Sequence, residues 1–450
     1  MQLPRAPLFT MMQDEEVTGE VLDKFIRLHQ QVIGRYDYLF NMYLNQPEIF
    51  DAPRKAEFKP DNRLAVAFPK YMVDTLGGYF NGIPIKKTHE LIEFLEAISQ
   101  FDNANDMEDE ESELFKMACI YGHAFEYIYQ NEQTETKAIY VSPKDMFIVY
   151  DKSIEQKPLF AVHYGQEESK TVGVLIEIDK IREFVMDKGI VRFENEQINP
   201  FGKLPVIEFM LNDERQGLFE PVISLINSYN KVMSEKANDV DYFADAYMKI
   251  LGAELDEKSI ERIKDNRIIN LHGLDSSKII VEFMDKPDSD SQTEHLLDRT
   301  ERLIYATSMV ANISDENFGN ASGTALAYKL QAMSNLALSV QRKFQSSLNR
   351  RYELFSALRT NVPETMKDEW QNIEYKFTRN EPKNTLEEAQ TAAQLMGITS
   401  DETALSVLSI VSDVATEMDR KDKEEIGRPI TDAELTFLTQ GRDVNEPDAD

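Results

Sequence analysis

Cysteine is nearly absent. The only thiol in 450 residues is Cys119, which excludes an intrachain disulfide and fits a reducing compartment or an assembly built in the cytosol. Metal-ligand spacing is absent too. His29, His89, His123, His163, His272 and His295 form no H-E-x-x-H pattern, and Cys119 has no second sulfur beside it. Neither the phosphate-cradling G-x-x-x-x-G-K-[ST] loop nor the nucleophile-elbow G-x-S-x-G occurs. No stretch reaches the roughly 18 apolar residues of a membrane span. The opening "MQLPRAPLFTMMQDEEVTGE" holds no apolar run long enough for a signal peptide, so the reading is a soluble protein without a membrane partner. Positive charge is scarce: 49 Lys and Arg stand against 80 Asp and Glu, a formal net charge of −31. Such a surface does not attract nucleic acid over its whole area, although it suits a protein past which DNA must slide ungripped. No internal repeat or low-complexity tract is visible.

What is present is globular material, 42% hydrophobic and 29% charged, long enough for two or three cores. The pattern predicts an α+β chain, mainly helical. Val21, Phe25, Leu28, Val32, Tyr36 and Leu39 recur at helical spacing. "NRLAVAFPKYMVDTLGGYFNG" is a second helix that Gly77–Gly78 bends or ends. "THELIEFLEAISQF" is a third, with Thr88 as its cap. From about residue 125 to 211 the period changes to alternation, in "AFEYIYQ", "KAIYVSP", "MFIVYD", "LFAVHYGQ", "TVGVLIEID", "IREFVMDKG", "IVRFENE" and "LPVIEFM", a β-rich unit of antiparallel strands. Helix returns over 217–250 and stops at Gly252. A small α/β insert occupies 251–288, with helix "DEKSIERIKDN" and strands "RIINLHG" and "KIIVEFMDK", closed by Pro287. A second long helix covers 289–310, and a polar loop, 311–323, follows it. A third helix then runs to about Leu358, and a strand at 372–382 returns to an earlier sheet. Two C-terminal helices, "TLEEAQTAAQLMG" and "DETALSVLSIVSDVATEMDRKDKEE", precede an acidic tail.

Two features invite a chemical reading. Asp106, Glu108, Asp109, Glu110 and Glu111 could be imagined as a metal site of a hydrolase. Consecutive helical residues share no face, however, and a solvated helix start is the stronger reading. No catalytic residue, metal or cofactor is therefore assigned. The helix after the loop carries Leu326, Leu330, Met333, Ala337, Val340 and Phe344 in steps of four and three, an apolar seam for packing against other helices. Its other faces hold Lys329, Arg342, Lys343, Arg350, Arg351 and Arg359, with Glu353 the lone acid. Pairing with acidic neighbours, in this chain or in another subunit, is weighed ahead of phosphate contact.

Three stretches carry a family likeness: "YGHAFEYIYQ" with "VSPKDMFIVYD"; "EPVISLINSYNKVMSEKANDVDYFADAYMKILG", where the family has an "IDxYN…S…N" helix; and "SGTALAYKLQAMSNLA", matching "SGxALxxKLxxLxxxA". In that order, over most of residues 20–430, the chain resembles the portal proteins of tailed bacteriophages, in the branch of long-tailed phages of Gram-positive hosts. The resemblance implies a ring, of twelve subunits in the family, at one capsid vertex of the virion, built in the host cytoplasm. It serves as the channel for packaging and ejecting double-stranded DNA. It implies a wing (1–216 with 324–384), stem helices (217–250 and 289–310), a clip (251–288), a tunnel loop (311–323) and a crown (385–450). The clip would meet the terminase large subunit and later a head–tail adaptor, with Lys258, Arg262, Arg267 and Lys278 available for docking. Major capsid and scaffolding proteins are further implied partners. The tunnel loop would present Asn312, Ser314, Asn317, Gly319, Asn320 and Ser322 as soft, weakly bonding groups beside Phe318, with Asp315 and Glu316 repelling phosphate. Lys249 and Arg299 on the stem helices are candidates to face the channel. Leu326, Leu330, Met333, Val340 and Phe344 would hold the base of the loop against neighbouring subunits. A different helical adaptor or minor capsid scaffold, lacking a channel, is the alternative.

Overall fold

The computed structural model describes residues 3–56, 59–244, 248–251, 280–283, 290–313, 323–381, 385–408, 410–411 and 414–426. A short strand, β1 (Phe9–Met11), precedes helix α1 (Gly19–Tyr43). Thr18 caps α1, its Oγ1 accepting the Val21 N–H at 3.4 Å. After α1 come α2 (Phe68–Asn81), β2 (Lys86–Thr88), α3 (Ile92–Ala104) and α4 (Met107–Tyr121). Gly122 ends α4 with φ +93°, and a Cβ there would lie 2.1 Å from the Arg215 carbonyl oxygen, so only glycine fits.

The β-rich unit follows as expected: β3 (His123–Gln130), β4 (Thr136–Val141), β5 (Met146–Asp151), β6 (Pro158–Glu167), β7 (Lys170–Glu177), β8 (Lys180–Asp187), β9 (Ile190–Ile198) and β10 (Val206–Met210). It forms two sheets. One has six strands in the order β1-β5-β6-β7-β8-β9; the other is β10-β3-β4. All pairings are antiparallel except β1 with β5, which is parallel. Strand alternation sorts the cores. Phe147, Val149, Phe160 and Val162 meet Leu22, Phe25 and Ile26 of α1. Met146, Ile148 and Ala161 turn the other way, toward Phe125 and Val206 of the smaller sheet.

Helix α5 (Ile223–Ala244) follows a 3-10 turn, Glu220–Val222. Strands β11 (Met248–Leu251) and β12 (Ile280–Phe283) pair antiparallel, and α6 (Asp290–Ser308) and α7 (Gly323–Ser356) come next. Strand β13 (Glu374–Lys376) pairs with β2 alone. A second compact unit, 321–326 with 381–450, contains α8 (Thr385–Leu395), α9 (Asp401–Ser406) and α10 (Val414–Ile426).

Several expectations need correction. Helix α2 does not end at Gly77 and Gly78 but continues to Asn81, because Leu76, Tyr79 and Phe80 bury on both sides of the pair and packing outweighs propensity. Thr88 caps nothing: it ends β2, and α3 begins only at Ile92. The strand near 374 does return to an earlier strand, β2, but the two form a separate two-stranded sheet and do not join the β-rich unit. The first long helix ends by Ala244, and Met248–Leu251 is strand. The single helix expected from Asp401 onward is two, α9 and α10. The insert's helix, its first strand, Gly252, Pro287 and the acidic tail lie outside the described residues.

Candidate functional site

The α5–α6 pair is built on side-chain bonding to an extended segment. Asn230, Ser234 and Asn238 stand four residues apart on α5 and are buried. Asn230 Oδ1 accepts the Val66 N–H at 2.9 Å, Ser234 Oγ the Leu64 N–H at 2.9 Å, and Asn238 Oδ1 the Asn62 N–H at 2.6 Å. Ser234 Oγ also lies 3.2 Å from the Leu64 carbonyl. The geometry is commensurate: four helical residues rise about 6 Å, and two extended residues about 6.6 Å. The helix face thus substitutes for a neighbouring strand. Ser234→Ala leaves the Leu64 N–H without its acceptor and is expected to cost about 0.5–1.5 kcal/mol. Urea unfolding checks this, and a midpoint equal to wild type contradicts it.

Helix α6 runs back along α5, with Lys236 bridged to Glu294. Tyr305 of α6 packs edge-on against Phe68 and Tyr71 of α2, at ring-centroid distances of 5.8 and 5.7 Å. Met309 takes a left-handed φ of 60° and terminates the helix. Tyr71 then fixes the first residues beyond it. Its hydroxyl donates to the Ala311 carbonyl at 3.4 Å and accepts the Ile313 N–H at 2.7 Å. Asn312 Nδ2 donates to Glu301 at 3.3 Å. The entry to the 311–323 loop is therefore anchored.

Helix α7 is joined to the body by a seam and an ion cluster. Leu330, Met333, Ala337, Val340 and Phe344 are all buried within the chain, whereas Leu326 is half-buried. Phe344 meets Phe80, Phe115 and Phe209 at 5.7, 6.1 and 4.9 Å. The buried part of this seam packs inside its own chain, which corrects its reading as a surface held out to a neighbouring subunit. Two turns further on, Arg351 is fully buried. Its Nε and a terminal nitrogen donate to Glu126 of β3 at 2.7–3.0 Å, and the other terminal nitrogen donates to Glu111 of α4. Lys87 bridges Glu111 at 3.2 Å and Asp102 at 2.8 Å, and Tyr352 donates to Asp102 at 2.9 Å. Burial alone would favour a neutral Arg351, but Glu126 and Glu111 hold it charged.

The acidic start of α4 thus divides. Asp106, Glu108 and Asp109 are exposed. Glu111 is 4% exposed and ion-paired, which corrects its reading as part of a solvated helix start. Glu110 accepts the Tyr140 N–H at 2.6 Å, and its carboxyl is pushed up to about 7, first by burial and then by nearby Glu126. Among the described residues, no group of three or more His, Cys, Asp or Glu side chains could hold a metal ion.

The basic residues of the third helix are largely paired at home. Lys343 bridges Asp213 and Arg350 bridges Glu353; Arg359, which lies beyond the helix end at Ser356, bridges Glu364 at 2.9 Å. Arg342 is exposed. Lys249 sits in strand β11 opposite Glu282, not on a long helix, because the helix ends before it. Arg299 is on α6 and exposed. Ser314, Asp315, Glu316, Asn317, Phe318, Gly319, Asn320 and Ser322 lie outside the described residues, as do Lys258, Arg262, Arg267 and Lys278. Sequence reading missed Tyr71, for which no local signal exists. It also missed the Asn230–Ser234–Asn238 bonding, whose four-residue spacing was legible. No described helix is long and apolar enough to cross a membrane.

Two long antiparallel helices, the antiparallel β11–β12 pair that lies between them in the chain, and an anchored loop entry after them define a helical α+β framework. The family model for "Phage portal protein, SPP1 Gp6-like" matches residues 22–428, and the chain belongs to this family of phage portal proteins. The portal protein of Clostridium phage phiCD119 is 25% identical over 211 residues, 44% of this chain and 43% of that protein; the match spans under half of the relative's own length. Among solved structures, a chain in the virion of a native gene transfer agent particle is similar at a TM-score of 0.47 and 12% identity, covering 83% of this chain and 92% of that one. A chain in the neck of the native particle, computed with C12 symmetry, gives 0.47 and 12% over 82% and 92%.

Proposed function

We propose that the chain is the repeating subunit of a portal ring, of about twelve copies, at one vertex of a phage capsid, through which double-stranded DNA enters and leaves. Membership of the portal family over residues 22–428 carries this reading. The chain order of α5, the paired strands β11 and β12, α6 and then the loop supports it. In this reading 1–216 and 324–384 form the wing, α5 and α6 the stem, 251–288 the clip, 311–323 the tunnel loop and 385–450 the crown. The clip, with Lys258, Arg262, Arg267 and Lys278, docks the terminase large subunit and then a head–tail adaptor. Capsid and scaffolding proteins surround the wing. Assembly takes place in the host cytoplasm and the ring ends in the virion. No catalytic step is assigned to the chain; the motor's ATP hydrolysis belongs to a separate protein.

The acidic composition has a physical role here. A net charge of −31 per copy opposes tight binding of a polyanion, so DNA passes and is not retained. Mass photometry of the purified chain is expected to show a species near twelve times 51.8 kDa, with a central hole in negative-stain class averages. Particles without a hole contradict the reading, as does a monomer at every concentration.

A further inference from the structure

Among the described residues, each helix of the α5–α6 pair has one face that is exposed or only half-buried, and the two faces differ in charge. On α6 the buried residues are Leu297, Thr300, Ile304 and Ser308. Opposite them, Leu296, Arg299, Leu303 and Ala306 are exposed, spaced by three and four, with Leu296 at 51% and Leu303 at 43%. That is the spacing of a helix–helix seam. Arg302 and His295 flank it, also exposed.

On α5 the side away from Ile226 and Asn230 carries Leu225, Ser228, Val232, Glu235 and Asp239, again spaced by three and four. Leu225 and Val232 are only half-buried. Glu235 already holds Lys55 at 2.6 Å. Among the described residues, nothing engages Asp239, Arg299 or Arg302.

We infer that α6 of one copy packs against α5 of the next copy in the ring, with Leu296 against Val232, Leu303 against Leu225, and the basic margin of α6 beside the acidic margin of α5. The inference rests on the ring reading above and names the surface that closes it. The heights agree. The Lys236–Glu294 bridge sets where α6 passes α5, which puts Leu296 level with Ser234 and Leu303 level with Asn227. Each leucine is then two residues, about 3 Å, from its counterpart on the neighbour, with the same offset in both cases. Rotation about an axis along the helices preserves height, so both contacts form together. The charges select the mode of assembly. A two-fold pairing of α6 on α6 would set Arg299 and Arg302 against their own copies, whereas on α5 Asp239 is free to meet them. A head-to-tail contact sets unlike faces together and generates a ring.

The test uses two full-length variants, Leu296→Glu with Leu303→Glu, and Val232→Lys with Asp239→Lys. All four positions are exposed or half-buried, so melting temperatures are expected to match wild type; Leu303→Glu alone is the milder form should the double variant fold poorly. Wild type is expected to form rings by mass photometry, each variant alone only monomers, and an equal mixture species of two or more copies, because each variant retains one intact face. Rings from either variant alone overturn this inference and leave the ring reading standing. A mixture that stays monomeric also overturns it. A monomeric wild type overturns both.

Discussion

Methionine in place of Arg351 is expected to destabilise the folded chain by about 3–5 kcal/mol, because it leaves carboxylates buried without their counter-charge. Glu126 is 0% exposed and Glu111 4%, and between them they accept every hydrogen bond that Arg351 makes. Lys87 compensates Glu111 and Asp102 but does not reach Glu126. Glu126 therefore bears most of the loss. A second substitution, Glu126→Gln in the Arg351→Met background, removes the stranded charge and is expected to recover part of the stability, whereas Glu126→Gln alone is expected to be harmful. Urea denaturation of the three variants gives the coupling directly. Arg351→Met unfolding within about 1 kcal/mol of wild type would show that the cluster is hydrated or otherwise compensated. Because Arg351 ties α7 to α4 and β3, the same variant is expected to expose α7 to proteolysis early.

Acidification from pH 6.5 to about 4 is expected to remove up to about 3 kcal/mol of stability through His29 alone. Its ring is 1% exposed, and burial lowers its pKa from 6.5 to about 4. The Pro143 carbonyl can only accept, so Nε2 carries the proton and donates to it at 2.8 Å; Nδ1 accepts from the Tyr164 hydroxyl at 2.7 Å. Both nitrogens are satisfied in the neutral ring. Below pH 6.5 the unfolded chain takes a proton that the folded chain refuses, so stability falls with pH until the folded group titrates near 4. Above pH 6.5 the group has no effect. Two other groups modify the profile. Burial would raise Glu208, but the hydrogen bond from His123 and the Arg215 guanidinium outweigh it and hold the carboxyl well below the usual range. That stability is lost only at lower pH, below the ordinary carboxylate pKa. Glu110, raised to about 7, acts the other way and costs stability as pH rises from 4.5 through 7. His29→Gln is expected to flatten the wild-type loss between pH 6.5 and 4.5 while leaving the steeper acid limb of Glu208. An unchanged slope in the variant would assign the acid sensitivity elsewhere, with His123 the next candidate.

Much of this architecture was legible because it is local. The period of α1 placed Phe25, Val32, Tyr36 and Leu39 on its inner face, and alternation marked every strand from β3 to β10. What the sequence concealed depends on partners far along the chain. Glu111 looks like any acid in a first turn until Arg351 arrives from 240 residues away. The run from Leu330 to Phe344 reads equally well as a seam for another subunit, until Phe80, Phe115 and Phe209 are seen around it. Thr88 is a sound helix cap by type, but β13 claims its backbone first. Lys249 inherited a helix from the residues before it, and the antiparallel pairing of β11 with β12 overrode that continuity.

The bonding of Asn230, Ser234 and Asn238 to residues 62–66 also limits how this region can change in length. Deleting or adding one residue within 231–237 turns the rest of α5 by about 100° and swings at least one of the three side chains off the extended segment. Length variation among related chains should therefore fall beyond Asn238, toward β11, where an added turn leaves the grip undisturbed. The far end of α5 can then change in length by itself, with the register of Asn230, Ser234 and Asn238 on residues 62–66 left intact.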